Sequence, residues 1–182
     1  MEAGRLAMQS ALRRSASVLK AAGVPFALAG SYALWVYGAP ESAHDVDLVV
    51  AETDVEQAAD ALSAGGFDVE RPPEDWLFKA HSDGVVVDVL HRLVGEPIDP
   101  ERLSRAEEHD VLGIRMPVLV PTEVMLTKLL SLSEQYCDFG ALLPHARAVR
   151  ELIDWPRLRR LSADQPYAEA FVHLLDNLGV GG

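Results

Sequence analysis

At 182 residues, 49% of them apolar, the chain suits one domain or one domain with a small helical appendage, and global disorder is excluded. A formal net charge of −12 argues against broad sequence-independent binding to nucleic acid. The single cysteine, Cys137, excludes a disulfide framework and a cysteine-based zinc site, and this usage fits a reducing, cytoplasmic setting.

Taken in chain order, the Ala/Leu spacing of residues 5–22 predicts an amphipathic helix rather than a signal peptide, ended by Gly23. Pro25 opens a strand through VPFALAG, and Ser31 to Tyr37 reads as a short helix closed by Gly38. A strand follows from Asp45 to Ala51. Thr53 with Glu56 forms a capping-box pattern for a helix to about Ala64, stopped by Gly65-Gly66. FDVER and WLFKAH are short strands, and Ser82-Asp83-Gly84 is a tight turn into VVVDVL, residues 85–90. A helix near 100–109 precedes a strand around RMPVLV. Beyond Pro121 only helices are expected, at roughly 122–136, 141–153, 156–162 and 166–178. The order predicts an α+β core over residues 1–120 with a helical region, 121–182, packed against it. No apolar run reaches the roughly 18 residues of a membrane span, so no membrane partner is expected.

Charge is distributed unevenly. Residues 41–75 hold eleven Asp or Glu against the single Arg71, whereas residues 141–160 hold five Arg (147, 150, 157, 159, 160) against Glu151 and Asp154. The first segment suits cations. The second is either a solvated helix face or a place to meet a polyanion.

The chemistry concentrates in GSYALWVYGAPESAHDVDLVV, residues 30–50. Side chains on a strand alternate faces, so Asp45 and Asp47 point the same way while Val46 and Leu48 point to the other. Two carboxylates so close repel each other, and a hard divalent cation such as Mg²⁺ removes that cost. Asp88 is the one carboxylate in the apolar run 85–90, and it completes a three-acid cluster if the two strands are neighbours. Gly30 lets the backbone approach a phosphate, and Ser31 adds a hydroxyl at the start of a helix whose N–H groups favour an anion. A metal cluster beside an anion cradle is what binding a nucleoside triphosphate requires.

These residues resemble the signature of the nucleotidyltransferase-fold superfamily. That superfamily includes DNA polymerase beta, the minimal nucleotidyltransferases, the antibiotic nucleotidyltransferases and toxins of toxin–antitoxin pairs. Its pattern is Gly-Ser, a short helix, Asp-x-Asp and a third Asp on a later strand, which Gly30, Ser31, Asp45, Asp47 and Asp88 match in order. VLVPTEVMLTKLL is similar to the segment in which toxin-like members carry a nucleotide-reaching lysine, a role that falls to Lys128. The chain departs from the pattern at Glu41-Ser42, where many relatives have an Arg, and at His44, where small hydroxyl residues are usual. Lys79, Arg92 or an Arg of the helical half would then help with the triphosphate charge, and His44 is a metal ligand, a proton shuttle or a turn histidine.

The resemblance implies a nucleotidyltransferase-like mixed sheet flanked by helices. It implies a Mg²⁺- or Mn²⁺-dependent enzyme that moves a nucleoside monophosphate from a triphosphate, such as ATP, to an acceptor hydroxyl with release of pyrophosphate. Asp45, Asp47 and Asp88 would be the metal ligands and catalytic residues, and Gly30, Ser31 and Lys128 the nucleotide-binding ones. Compact size and overall acidity favour a small or locally recognised acceptor. Two alternatives stay open: a toxin acting on tRNA 3′ ends with a cognate antitoxin, which the Arg cluster supports, and an inactive nucleotide-binding or interaction module. Asp138 is a helix cap or a site residue, Trp76 a core or base-stacking residue, and Cys137 a buried small hydrophobe.

Overall fold

A computed structural model describes residues 2–42 and 45–182 of the chain; His44 lies outside the described residues. The chain order is α1 (Glu2–Ala21), β1 (Phe26–Leu28), α2 (Gly30–Val36), β2 (Val46–Val50), α3 (Val55–Ala64), β3 (Asp68–Glu70), β4 (Leu77–Ser82) and β5 (Val85–Leu90). Then come β6 (Arg92–Leu93), β7 (Glu96–Pro97), α4 (Pro100–Leu103), β8 (Glu107–Val111), β9 (Ile114–Val118), α5 (Pro121–Leu130), α6 (Phe139–Val149), α7 (Trp155–Ser162) and α8 (Pro166–Asn177).

Among the described residues, seven strands form one mixed sheet in the order β3-β4-β5-β2-β1-β9-β8. The β2–β5 and β1–β9 pairs are parallel, and the other neighbours are antiparallel. The middle strands β2 and β5 are rich in β-branched residues, which fit a pleated surface covered on both sides. Val46, Leu48, Val49, Val50, Val87 and Val89 are all fully buried. Helix α1 covers the sheet with a stripe at helical spacing, Leu12, Ala16 and Leu19, none of which reaches solvent.

One apolar core runs from α1 through the sheet into α5–α8. A buried ionic latch reinforces that contact: Glu123 of α5 pairs with Arg157 of α7 and, at 3.5 Å, with Arg102 of α4. Thr122 accepts a hydrogen bond from the Asp154 backbone at 2.9 Å.

Several local readings change. The helix expected near 100–109 is only α4, and residues 107–111 form the edge strand β8, which pairs with β9 around a Leu112-Gly113 turn. Helix α5 stops at Leu130, and a loop rather than a further helical turn leads to α6. Thr53 sits in a short 3-10 turn over 52–54, and Asp54 stands at the N-cap of α3, so no capping box forms there. Strand β2 begins at Val46, with Asp45 immediately before it. Cys137 is exposed rather than buried, and Trp76 is 41% exposed rather than part of the core.

Candidate active site

Strand register builds the centre of the site. On the parallel pair β2–β5, Asp47 stands opposite Asp88; on the antiparallel pair β5–β4, Asp88 stands opposite Lys79. Register partners share a face of the sheet, so Lys79, Asp88 and Asp47 form a lateral row across three neighbouring strands. The Lys79 Nζ donates to Asp88 Oδ1 at 3.1 Å. The next position in the row is Ala29, whose backbone N–H donates to the Asp47 carbonyl at 2.9 Å.

Gly30 follows at the start of α2, with φ +60°. A Cβ there would lie 1.8 Å from Asp47 Oδ2, so the Asp47 carboxylate rests against bare backbone that only glycine provides. Ala29, at the N-cap, has no side chain able to cap the helix. One residue on, Ser31 Oγ accepts from Lys128 Nζ at 3.0 Å. Lys128 sits in the last turn of α5, and this contact joins the helical half to the start of α2 in the sheet half.

A cavity of about 560 Å³ opens over this surface, lined by Gly30, Asp45, Asp47 and Lys128 on its polar side. Leu90, Leu93 and Leu119 give it apolar walls, and Tyr136, 80% exposed, stands at its lip. Asp138 lines it too, while its Oδ1 caps α6 by accepting from the Ala141 backbone at 2.9 Å. A second cavity, about 790 Å³, lies over Asp88, Lys79 and Asp45, with Arg5 and Ser42 in its wall. Asp45 borders both cavities.

Burial and neighbouring charges shift two titrations in this site. Burial, acting against the pull of Lys128 and Lys79 and helped by Asp88 and Asp45, raises the Asp47 carboxyl from its usual 3.8 to about 6. Burial lowers the Lys128 ammonium, against the pull of Asp47 and Asp45. Each partner thus moves toward its neutral form, and their mutual attraction does not cover the cost of desolvation. A cation at Asp47 and an anion at Lys128 would each relieve one side of that cost.

The three carboxylates fit a hard divalent ion in their chemistry, and the register sets two of them side by side. Among the described residues, no three His, Cys, Asp or Glu side chains converge closely enough to hold an ion as they stand. Asp88 is engaged with Lys79 instead.

Other candidates sort clearly. Arg92 donates to Glu52 at 2.7 Å, Arg157 is held by Glu123, and Arg159 pairs with Asp176 at 2.6 Å. His145 escaped the sequence reading. Its Nδ1 donates to the Ala141 carbonyl at 3.0 Å, its Nε2 is buried without a hydrogen-bond partner, and burial together with the charge of Lys128 lowers its pKa. Nothing in the local sequence marks it, because its proximity to Lys128 arises from how α6 packs.

The fold places the chain among known structures. A crystal structure of ANT(2")-Ia in complex with adenylyl-2"-tobramycin superposes with a TM-score of 0.63 at 12% identity, covering 90% of this chain and 98% of that one. The solution structure of the same antibiotic-resistance factor gives 0.64 at 12% identity, covering 94% and 98%. An antigenic nucleotidyltransferase-like protein from Paracoccidioides brasiliensis gives 0.52 at 15% identity, covering 92% and 90%. At such identities the likeness concerns the fold. No curated protein matches the chain. Among the described residues, no helix is long and apolar enough to cross a membrane. The model of a family described as uncharacterised nucleotidyltransferases matches residues 2–181, essentially the whole length, and the chain therefore belongs to that family and is a nucleotidyltransferase.

Proposed function

We propose that the protein transfers a nucleoside monophosphate from a nucleoside triphosphate, in a Mg²⁺- or Mn²⁺-dependent reaction, to the hydroxyl of a small-molecule acceptor. The observation that carries this reading is the junction at Gly30. There the Asp47 carboxylate and the Lys128–Ser31 contact meet at one glycine, so groups suited to a cation and to a phosphate lie against each other.

In this reading Gly30, Ser31 and Lys128 bind the triphosphate, and Asp45, Asp47 and Asp88 hold the ion. A bound divalent ion supplies charge neutralisation at the phosphates and makes the acceptor hydroxyl more acidic. The acceptor oxygen bonds to the α-phosphorus, the bond from phosphorus to the pyrophosphate oxygen breaks, and the hydroxyl proton passes to the Asp88 carboxylate. Lys128 balances charge on the departing pyrophosphate. Most of the rate enhancement then comes from positioning and electrostatics. The unit over residues 1–120 supplies the carboxylates, and the helical region over 121–182 supplies Lys128 and one wall of the acceptor cavity.

Two observations favour a small molecule over a tRNA end. The similar ANT(2")-Ia is held with an adenylylated small molecule, tobramycin. The arginines expected to meet a polyanion are partly committed elsewhere, Arg157 to Glu123 and Arg159 to Asp176. The test is transfer of label from α-labelled ATP, CTP, GTP and UTP to a panel of hydroxyl-bearing small molecules and to tRNA, with pyrophosphate measured in parallel. The expected result is labelled small molecule with one pyrophosphate per transfer, lost in Asp88→Asn. Label confined to tRNA, or no pyrophosphate with any acceptor, would overturn the reading.

A further inference from the structure

Asp88 occupies the centre of three adjacent strands, with an ammonium on one side and a carboxylate on the other. Neighbouring strands lie about 4.8 Å apart, so Asp88 lies within reach of both neighbours, and an ammonium held on one side of its carboxylate opposes a cation brought to the other. In the structure it faces Lys79, at 3.1 Å, with the lysine side chain 33% and the aspartate 21% exposed. This partial shelter makes the pair less screened than an ordinary surface ion pair. The formal charges carry the same message. Asp45, Asp47 and Asp88 against Lys79 and Lys128 leave a net −1, whereas without Lys79 the remaining four groups carry −2, which one divalent ion cancels.

Resting on the functional reading above, we propose that Lys79 is a built-in counter-cation that holds Asp88 away from the metal position, so that a divalent ion binds by displacing the Lys79 ammonium from Asp88. Lys79 is a positioning residue in this account, acting through Asp88. The ammonium has room to leave, because Lys79 and Asp88 both line the 790 Å³ cavity rather than the packed core. The pairing also has a cause in the sequence. Asp83 and Gly84 both have positive φ, +52° and +76°, as a two-residue hairpin turn requires, and that turn fixes Lys79 opposite Asp88. The device therefore follows from the hairpin and not from a flexible side chain finding a chance partner.

Two measurements test it. The first is titration calorimetry with MnCl₂ alone, without nucleotide, on the parent, Lys79→Met, Asp88→Asn and the double variant at one neutral pH. Removing the competing ammonium should tighten Mn²⁺ binding about tenfold in Lys79→Met, as loss of one charge a few ångströms from a partly sheltered ion implies. In the Asp88→Asn background the same change should give less than half of that gain. The second needs no variant: the chain has three lysines, Lys20, Lys79 and Lys128, so amine acetylation read by mass spectrometry resolves each. Saturating Mn²⁺ should raise Lys79 modification several-fold and leave Lys20, which donates to the Arg115 carbonyl at 2.8 Å, unchanged. Equal Mn²⁺ affinity in parent and Lys79→Met, or Lys79 reactivity unaltered by metal, would overturn this proposal alone. No Mn²⁺ binding by either protein would overturn it together with the functional reading.

Discussion

Replacing Asp47 by Asn should stabilise the protein when no metal is present, in a way that depends on pH with a definite sign. The carboxyl is raised from 3.8 to about 6, first by burial and then by Asp88 and Asp45. A carboxyl whose folded pKa lies above its unfolded one favours the folded state when protonated. That contribution is fully present below 3.8 and is lost as pH rises through about 6. A move of that size corresponds to ~3 kcal/mol of destabilisation at pH 8. Asn carries no charge to bury, so Asp47→Asn should gain about 1–3 kcal/mol at pH 8 and almost nothing at pH 4. For a chain of this length that is roughly 3–10 °C in Tm. Thermal melts of parent and variant in chelator, at pH 4, 6 and 8, give the difference directly, and titrations of groups remote from Asp47 cancel in it. A variant less stable than the parent at pH 8, or one whose gain is the same at every pH, would refute the reasoning and make Asp47 a structural anchor.

Three further outcomes are expected. Gly30→Ala puts a Cβ 1.8 Å from Asp47 Oδ2 at φ +60°, and chemical denaturation should show a loss of about 1–3 kcal/mol, with nucleotide affinity reduced as well. Lys128→Met removes the ammonium that donates to Ser31 Oγ at 3.0 Å, and calorimetry with Mg²⁺ and triphosphate should show affinity lower by about tenfold or more. Glu123→Gln breaks the buried latch to Arg157 and Arg102, and urea unfolding should report a loss of about 2–4 kcal/mol while triphosphate affinity is retained in the folded protein.

The acid row was legible because its logic is local. Alternation along a strand puts Val46 and Leu48 in the core and leaves Asp47 on the other face, and Asp88 is marked by being the one charge in an apolar run. That the two strands are parallel neighbours is a matter of topology, which composition does not reveal. The Lys79–Asp88 pairing was within reach, since Asp83-Gly84 is a recognisable hairpin turn whose register fixes it. Two other hairpins use the same geometry with residues that carry no turn signal. Val94 and Leu112 adopt φ +54° and +52° before Gly95 and Gly113, conformations that large apolar side chains rarely take. For that reason the sequence does not signal β6–β7, and the helix it suggests near 100–109 runs into the first residues of the charged EEHDV strand β8. The arginines of residues 147–160 looked like one basic cluster in sequence, but packing divides them: Arg157 turns inward to Glu123 and Arg159 bridges to Asp176 on α8.

The most direct test of the central claim is titration calorimetry of the parent protein with ATP, CTP, GTP and UTP, each in Mg²⁺ and each in chelator. If Asp45, Asp47 and Asp88 serve an ion and Gly30, Ser31 and Lys128 serve a triphosphate, at least one nucleotide binds in Mg²⁺, and its binding fails in chelator. Equal affinity in both conditions, or no binding of any of the four, would contradict the account.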